Sequence, residues 1–302
     1  MELTWLEDFL ALAELRNFSR AAEARHVTQP AFSRRIRALE AWMGTPLVER
    51  SAQGFGLNAA GEYLRDQAGD LLRDLQQLRG GVLEAAGREG RTLVIAATHV
   101  LSFTFFPDWI RSRATLEDLG TLNLISDTMA ACEATLLAGK ASFLLCHYHR
   151  DAPSPFPTNA FTSIVVGQDT LVPLSVPDAI DAPRWSLPGD PSVPTRFLAY
   201  SAPSGLGRIL EASWHGAERN LALDTVFTSH LAAALLTMAR QGQGVAWLPY
   251  TLAAEDIASR RLVDAGNGRF SVSVEIRLFR SRHRQSPAAE AFWRVMSSGN
   301  VA

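Results

Sequence analysis

Residues 28–43 read TQPAFSRRIRALEAWM, with Phe32, Ile36, Leu39 and Met43 at i, i+4, i+7 and i+11. That spacing lays one apolar stripe along a helix and dictates what the opposite face carries. At about 100° per residue, that face presents Pro30, Ser33, Arg34 and Arg37, with Gln29 at the exposed N-terminal end. Thr28 stands at the N-cap. Pro30 falls in the first turn, where a missing N–H costs nothing.

Two shorter helices precede it. Residues 4–16 place Trp5, Leu6, Phe9, Leu12 and Ala13 on one face, with Thr4 as the expected cap. The next segment carries Ala21, Ala22 and Ala24, with Ser19 as the expected cap and a turn through Val27. Two helices, a tight turn and a third helix make a helix-turn-helix, whose last helix enters the DNA major groove. Residues 16–37 hold six Arg and one Glu, a local excess of 6 − 1 = +5 in a chain of net charge −2. Of the 29 basic residues only Lys140 is lysine, so the placement of an arginine says more than its presence. Gln can pair two-pronged with adenine and Arg with guanine, and either Arg can hold a phosphate. In the segment GTPLVERSAQGFGLNAAG (44–61), Gly54 and Gly56 between Val48 and Leu57 suggest a hairpin wing, with Arg50 beside the DNA backbone. The candidate DNA-facing set is Ser19, Arg20, Thr28, Gln29, Pro30, Ser33, Arg34, Arg37 and Arg50. The competing reading is a solvated basic helix face.

Residues 59–90 read as a linker helix. Leu64, Ala68, Leu71, Leu75, Leu78 and Val82 alternate steps of four and three, an a/d seam fit for dimerisation. Two half-sites on DNA need two reading helices, which favours a dimer over packing on the same chain. Gly80, Gly81 and the GREGR run at 87–91 are expected to end this linker.

From residue 92 the texture changes. TLVIAAT, TLNLIS, SFLLCHYH, TLVPLSV, TRFLAYS, ALDTVFT, GVAWLP and FSVSVEIRLFR read as strands. Helices are expected near 103–115, 129–139, 206–214, 230–241 and 287–297. Such alternation predicts parallel sheet with covered faces. The Pro-rich break at 151–157 suggests two α/β lobes around a cleft. The domains expected are a winged helix-turn-helix (1–58), a linker (59–90) and a regulatory domain (91–302). The first lobe takes about 91–165 and 270–302, the second about 166–269.

Ligands sit outside the carboxyl ends of parallel strands. That rule selects Thr98, His99, Ser102, Ser126, Thr128, Ser201, Ser204, Thr228, Ser229 and His230. His147 and His149, two apart on a strand, face the same way. They could hold a transition metal, bind a ligand or titrate near neutral pH. No Cys-x-x-Cys or His-Glu-x-x-His accompanies them, so no metal or cofactor is assigned. Cys132 and Cys146 are expected to be reduced thiols. No Gly-x-Ser-x-Gly, P-loop or Gly-x-Gly-x-x-Gly after a strand appears, so no catalytic residue is assigned. An enzyme or a cytosolic small-molecule binding protein is the distant alternative. The start MELTWLEDFL carries Glu2, Glu7 and Asp8 where a signal peptide needs positive charge, which predicts a cytoplasmic protein without membrane contact.

Phe9, Ser19, Ala21-Ala22, Gln29-Pro30, Ser33-Arg34, Ile36, Leu39-Glu40, Gly44, Leu47, Arg50 and Ala60-Gly61 together resemble the DNA-binding domain of LysR-type transcriptional regulators. GQGVAWLP at 242–249 is similar to that family's Gly-x-Gly-x-x-x-Leu-Pro segment. Asn58 stands where the family usually has Thr, and Ser142 where it often has Asp. The resemblance implies a winged-helix domain and a linker-helix homodimer assembling into a homotetramer on promoter DNA. It also implies a two-lobed effector domain of the periplasmic-binding-protein type with a small molecule in its cleft, and contact with RNA polymerase if the protein activates. QPAFSRRIRALE with the Ala-Trp-Leu-Pro step is most similar to the hypochlorite-responsive branch, which is associated with methionine oxidation. Of Met1, Met43, Met129, Met238 and Met296, Met129 and Met238 fall near expected helix starts or lobe cores. A small polar or anionic effector is the leading expectation, and oxidant sensing through Met or Cys the alternative.

Overall fold

In a computed structural model the chain divides into two compact units, residues 1–82 with 137–139 and residues 83–136 with 140–302. The structure describes residues 2–51, 54–86, 92–113, 120–214 and 220–298. The GREGR segment and the Arg50 side chain lie outside the described set.

The first unit opens with α1 (Leu3–Leu15), α2 (Phe18–Ala24) and α3 (Gln29–Met43). Helix α1 starts at Leu3 with Glu2 at its N-cap, so Thr4 falls inside the first turn instead of capping it. Asn17, not Ser19, caps α2: its side chain accepts from Ser19 N at 2.9 Å and Arg20 N at 3.0 Å. Asn caps as well as Ser. Capping two residues earlier keeps Phe18 in the helix, where its ring meets Phe32 edge-on at 6.1 Å. Thr28 occupies the α3 N-cap without a side-chain bond, and Pro30 lies in the first turn. The α3 stripe packs with Phe9, Leu12, Ala21 and Ala22, as its spacing requires.

The wing is the antiparallel pair β1 (Val48–Ser51) and β2 (Gly54–Leu57). Glu40 anchors it from α3, accepting Leu47 N at 2.9 Å and Val48 N at 3.3 Å. Asn58 then caps α4 (Ala59–Ala85), accepting Gly61 N at 2.9 Å while donating to the Pro46 carbonyl at 2.8 Å. Gly61 lies so close to the Leu47 carbonyl that a Cβ there would collide with it. Helix α4 runs 27 residues, straight through the Gly80-Gly81 pair expected to end it. Two glycines weaken a helix by about 1 kcal/mol each. Ending it also needs a left-handed turn or a following proline, and neither glycine adopts positive φ. The seam along α4 divides in two. Leu64 packs on the winged-helix core and Ala68 is buried, whereas Leu71, Leu75, Leu78 and Val82 are 44, 38, 64 and 60% exposed.

The second unit is mixed α/β. Its strands are β3 (Thr92–Thr98), β4 (Thr121–Asp127), β5 (Phe143–Tyr148), β6 (Phe161–Ser175), β7 (Thr195–Tyr200), β8 (Leu223–Ser229), β9 (Ala246–Pro249), β10 (Val263–Asp264) and β11 (Val272–Ser281). Its helices are α5 (His99–Thr104), α6 (Phe106–Arg113), α7 (Met129–Leu137), α8 (Gly205–Ser213), α9 (Ala232–Arg240), α10 (Tyr250–Ala258) and α11 (Pro287–Ser298). One sheet runs β10-β6-β11-β5-β3-β4, with β9 also on β6, and β7 pairs with β8. The pairs β3·β4, β3·β5 and β7·β8 are parallel, as expected. Strand β11 is antiparallel to both β5 and β6, so the sheet is not parallel throughout. The cause is connectivity. The 15-residue β6 runs out of the first lobe into the second, and β11 returns beside it in the opposite sense. Helix α10, absent from the sequence reading, follows directly on β9. Trp247 is fully buried at the centre, its Nε1 donating to the Phe270 carbonyl at 2.8 Å.

Candidate functional site

On the winged helix, Ser19, Arg20, Thr28, Gln29, Pro30, Arg34 and Arg37 are exposed. Ser33 is not. It is 7% exposed, and its Oγ accepts from Gln29 Nε2 at 3.1 Å. The sequence reading put Ser33 on the outer face, but it borders the stripe beside Phe32 and is small enough to tuck under Gln29. Arg35 and Arg25 also leave the positive surface. Both bond the fully buried Asp8, Arg25 Nε at 2.8 Å and Arg35 Nη1 at 3.2 Å, and Arg25 also meets Glu7 at 2.5 Å. They therefore join α1, α2 and α3 to one another. Arg16, Arg20, Arg34 and Arg37 remain of the six arginines counted between 16 and 37. A charge at Asp8 in an apolar helix face was the available signal for this network.

In the second unit a cavity of about 30 Å³ is lined by Thr98, His99, Val100, Asp127, Thr128, Met129, His147, Ser204, Gly205, Leu206, His230 and Ala232. Six of the twelve expected effector residues thus meet here: Thr98, His99, Thr128, His147, Ser204 and His230. They come from both lobes. The starts of α5, α7, α8 and α9 all reach this wall, and Ser204 caps α8 by accepting Gly207 N at 3.4 Å. Each helix start carries partial positive charge from its free N–H groups. Asp127 is the only carboxylate among the described lining residues. The His99 and His230 rings are 6.0 Å apart between centroids. Thr98 Oγ1 is buried without a hydrogen-bond partner among the described residues. Such a hydroxyl costs about 1–3 kcal/mol until something satisfies it.

The other six expected residues lie elsewhere. Ser126 stands behind His99, 3.1 Å from its Nδ1, and Ser102 joins Ser126 at 2.9 Å, so the two brace the wall instead of lining it. His149 falls beyond the end of β5 and borders a separate concavity of about 610 Å³ with Tyr148, Tyr250 and Arg277. Ser201 faces a third, with Trp214 and Tyr200. Thr228 is exposed on β8, and Ser229 Oγ is taken by Leu231 N at 3.1 Å. The strand-end rule located the right edge of each sheet but not which side of the turn each hydroxyl takes.

Several participants escaped the sequence reading. Asp169 on β6 accepts from His147 Nε2 at 3.2 Å and from Thr251 Oγ1 at 2.6 Å, joining β5 to α10. Burial opposes its charge, but the bonds from His147, Thr251 and Thr170 N outweigh that and hold the carboxyl below its usual range. Glu133 on α7 pairs with Arg208 on α8 at 2.8 Å. Burial pushes the Glu133 carboxyl up, and Arg208 offsets this only in part. A lone charge in an apolar segment, as in MAACEATLL, was the signal for Glu133. Both thiols are buried. Burial pushes Cys132 up to about 12 and raises Cys146 as well. Among the described residues no three His, Cys, Asp or Glu cluster as metal ligands, and no helix is long and apolar enough to cross a membrane.

Known proteins agree with this layout. Residues 3–62 match the family model of the LysR bacterial regulatory helix-turn-helix, and residues 86–299 that of the LysR substrate binding domain. The HTH-type transcriptional regulator YjiE of Escherichia coli K12 is 32% identical over 98% of this chain and 94% of its own. The full-length structure of HypT from Salmonella typhimurium, a hypochlorite-specific LysR-type regulator, is 31% identical, covering 99% of this chain and 98% of that one at a TM-score of 0.57. Vibrio fischeri DarR, solved in complex with DNA, is 28% identical over 100% of this chain and 99% of its own, also at 0.57. With a reading helix and wing at its N-terminus, a two-lobed α/β unit after it, and relatives that are regulators and not enzymes, this chain belongs to the LysR family of transcriptional regulators.

Proposed function

We propose that this regulator binds specific promoter DNA through Gln29, Pro30, Arg34 and Arg37, and that a small polar or anionic effector in the inter-lobe cavity switches that binding. In this reading residues 1–58 read DNA, 59–90 link and dimerise, and 91–302 receive the effector. The protein acts in the cytoplasm as a homodimer or homotetramer, and contacts RNA polymerase if it activates. The observation that carries the effector assignment is the cavity wall itself. Four helix starts and the Thr98 hydroxyl, partnerless among the described residues, border one partly open cavity, an arrangement suited to negative charge and hydrogen-bond acceptors. Closing the lobes on a ligand would alter their angle and so the spacing of the reading helices. The test is a thermal-shift screen of small acids on the full chain. At least one acid should stabilise the wild type, and Thr98→Val should lose that stabilisation while its ligand-free melting temperature equals or exceeds the wild type's, because the unsatisfied hydroxyl is gone. A screen that responds only to oxidants would refute it.

Oxidant sensing is the second reading, and Met129 in the cavity wall favours it. Oxidation to the sulfoxide would turn an apolar wall residue polar. The buried, raised thiols of Cys132 and Cys146 speak against a cysteine version.

A further inference from the structure

A second small cavity, about 20 Å³, lies on the far side of Met129. It shares Met129, His147 and Gly205 with the first and is also lined by Glu133 and Arg208. Met129, from the first lobe, rests on Gly205, from the second. A Cβ added at Gly205 would come within 2.9 Å of Met129 Cγ. At about 30 and 20 Å³, the two spaces hold one or two water molecules each. An organic acid needs more room than either. The partition between them is an unbranched side chain with three rotatable bonds, the kind that yields most readily.

At the far end, Arg208 gives only Nη2 to Glu133 Oε1 among the described residues, which leaves the Nε and Nη1 donors of its fork. That free edge suits a second carboxylate held two-pronged. Arg208 is 26% exposed at its side chain and lines both this cavity and the concavity that holds Ser201 and Trp214.

We propose that the two cavities are one effector channel divided by Met129. Its ligand is an elongated carboxylic acid, anchored by its carboxylate on Arg208 and by a polar far end on Thr98 and the His99–His230 pair. This rests on the function proposed above and adds the ligand's shape, the gate and the anchor.

The test uses the full-length protein and two probes, acetate and succinate, titrated calorimetrically at constant ionic strength. Wild type should bind succinate at least tenfold more tightly than acetate. Met129→Ala should strengthen succinate several-fold and acetate little. Arg208→Gln should weaken succinate at least tenfold, with Arg208→Lys recovering part of the loss. Ligand-free melting temperatures show that each variant folds, and the Lys variant serves if the Gln variant does not. Succinate binding no better than acetate to both wild type and Met129→Ala would overturn the channel. So would an Arg208→Gln variant that keeps succinate affinity within twofold. If Thr98→Val still loses binding in that case, the effector cavity stands and only its extension to Arg208 falls.

Discussion

Gln29 donates its side-chain amide to Ser33 Oγ at 3.1 Å, one turn along the reading helix, and Ser33 is itself buried. The pair fixes the direction in which Gln29 leaves the helix before any DNA arrives. Under the proposed function, Ser33 acts by positioning Gln29 and does not itself meet a base. Replacing Ser33 with Ala should weaken specific binding by about 1 kcal/mol, the worth of one neutral hydrogen bond, and leave nonspecific binding unchanged. Arg34→Ala should cost about 1–3 kcal/mol if it reads a base, and should flatten the salt dependence if it holds a phosphate. Gel shifts on the gene's own upstream region at two salt concentrations separate these cases. Equal losses on specific and random DNA for Ser33→Ala would refute the positioning role.

The Asp8 network makes a prediction about stability. Asp8 is fully buried between Arg25 and Arg35. Asp8→Ala leaves Arg25 with Glu7 alone and takes from Arg35 its bond to Asp8, and because both guanidiniums are about a third exposed it should cost about 1–2 kcal/mol, the worth of the lost charged hydrogen bonds. Urea unfolding followed at Trp5 and Trp42 would measure it. Arg35→Gln should cost less, because Arg25 still answers the charge. A cost for Arg35→Gln as large as that for Asp8→Ala would show the network misread.

Along α4, the exposed run Leu71, Leu75, Leu78 and Val82 predicts self-association. Replacing both Leu71 and Leu75 with Asp would bury unpaired charge in any such interface. Light scattering should then give the monomer mass. An unchanged mass would assign dimerisation to another surface.

Asp256 on α10 predicts the acid behaviour of the second unit. Arg240 holds it two-pronged at 2.8 and 2.7 Å, and Arg261 approaches at 3.0 Å. Arg240's hydrogen bonds, opposed by burial, keep its carboxyl below the usual aspartate range. A carboxyl lowered by folding contributes stability above its unfolded pKa, about 4, and loses it as pH falls through the folded value. Asp256→Asn should therefore lower the melting temperature at pH 7 and narrow the gap to wild type below pH 4. A gap that stays constant across that range would mean the loss is one of packing.

How far the sequence foretold this molecule depended on how local each determinant was. The α3 stripe and the wing are marked by patterns only a few residues long, so Phe32, Ile36, Gly54 and Gly56 were readable in place. Cap positions slipped by up to two residues because Asn17 competes equally with Ser19 and only the tertiary contact of Phe18 with Phe32 decides between them. The cavity was half legible. Strand ends are local, so Thr98, Thr128 and Ser204 could be named. Which wall each faces depends on how two lobes meet, so Ser201 and Thr228 could not be excluded. Asp169 with Thr251 and Glu133 with Arg208 are partners 82 and 75 residues apart, and no spacing rule reaches that far.

The last prediction concerns the thiols. Cys132 is fully buried with Sγ against the Ala97 carbonyl at 3.4 Å, and Cys146 is fully buried in β5. Only a thiolate attacks an alkylating agent or a peroxide. With burial pushing the Cys132 thiol up to about 12, its thiolate fraction at pH 8 is about one in ten thousand. Cys146 is raised for the same reason, and the charges of Arg208 and Arg277 offset this only in part. Native protein at pH 8 should therefore react with iodoacetamide at both sites at least a hundredfold more slowly than the urea-unfolded chain, as read by intact mass. Cys132→Ser should leave any oxidant response of DNA binding unchanged. Should Cys132 or Cys146 instead alkylate at the rate of the unfolded chain, their surroundings open on the timescale of the experiment, and a thiol switch in place of Met129 becomes the oxidant-sensing route to pursue.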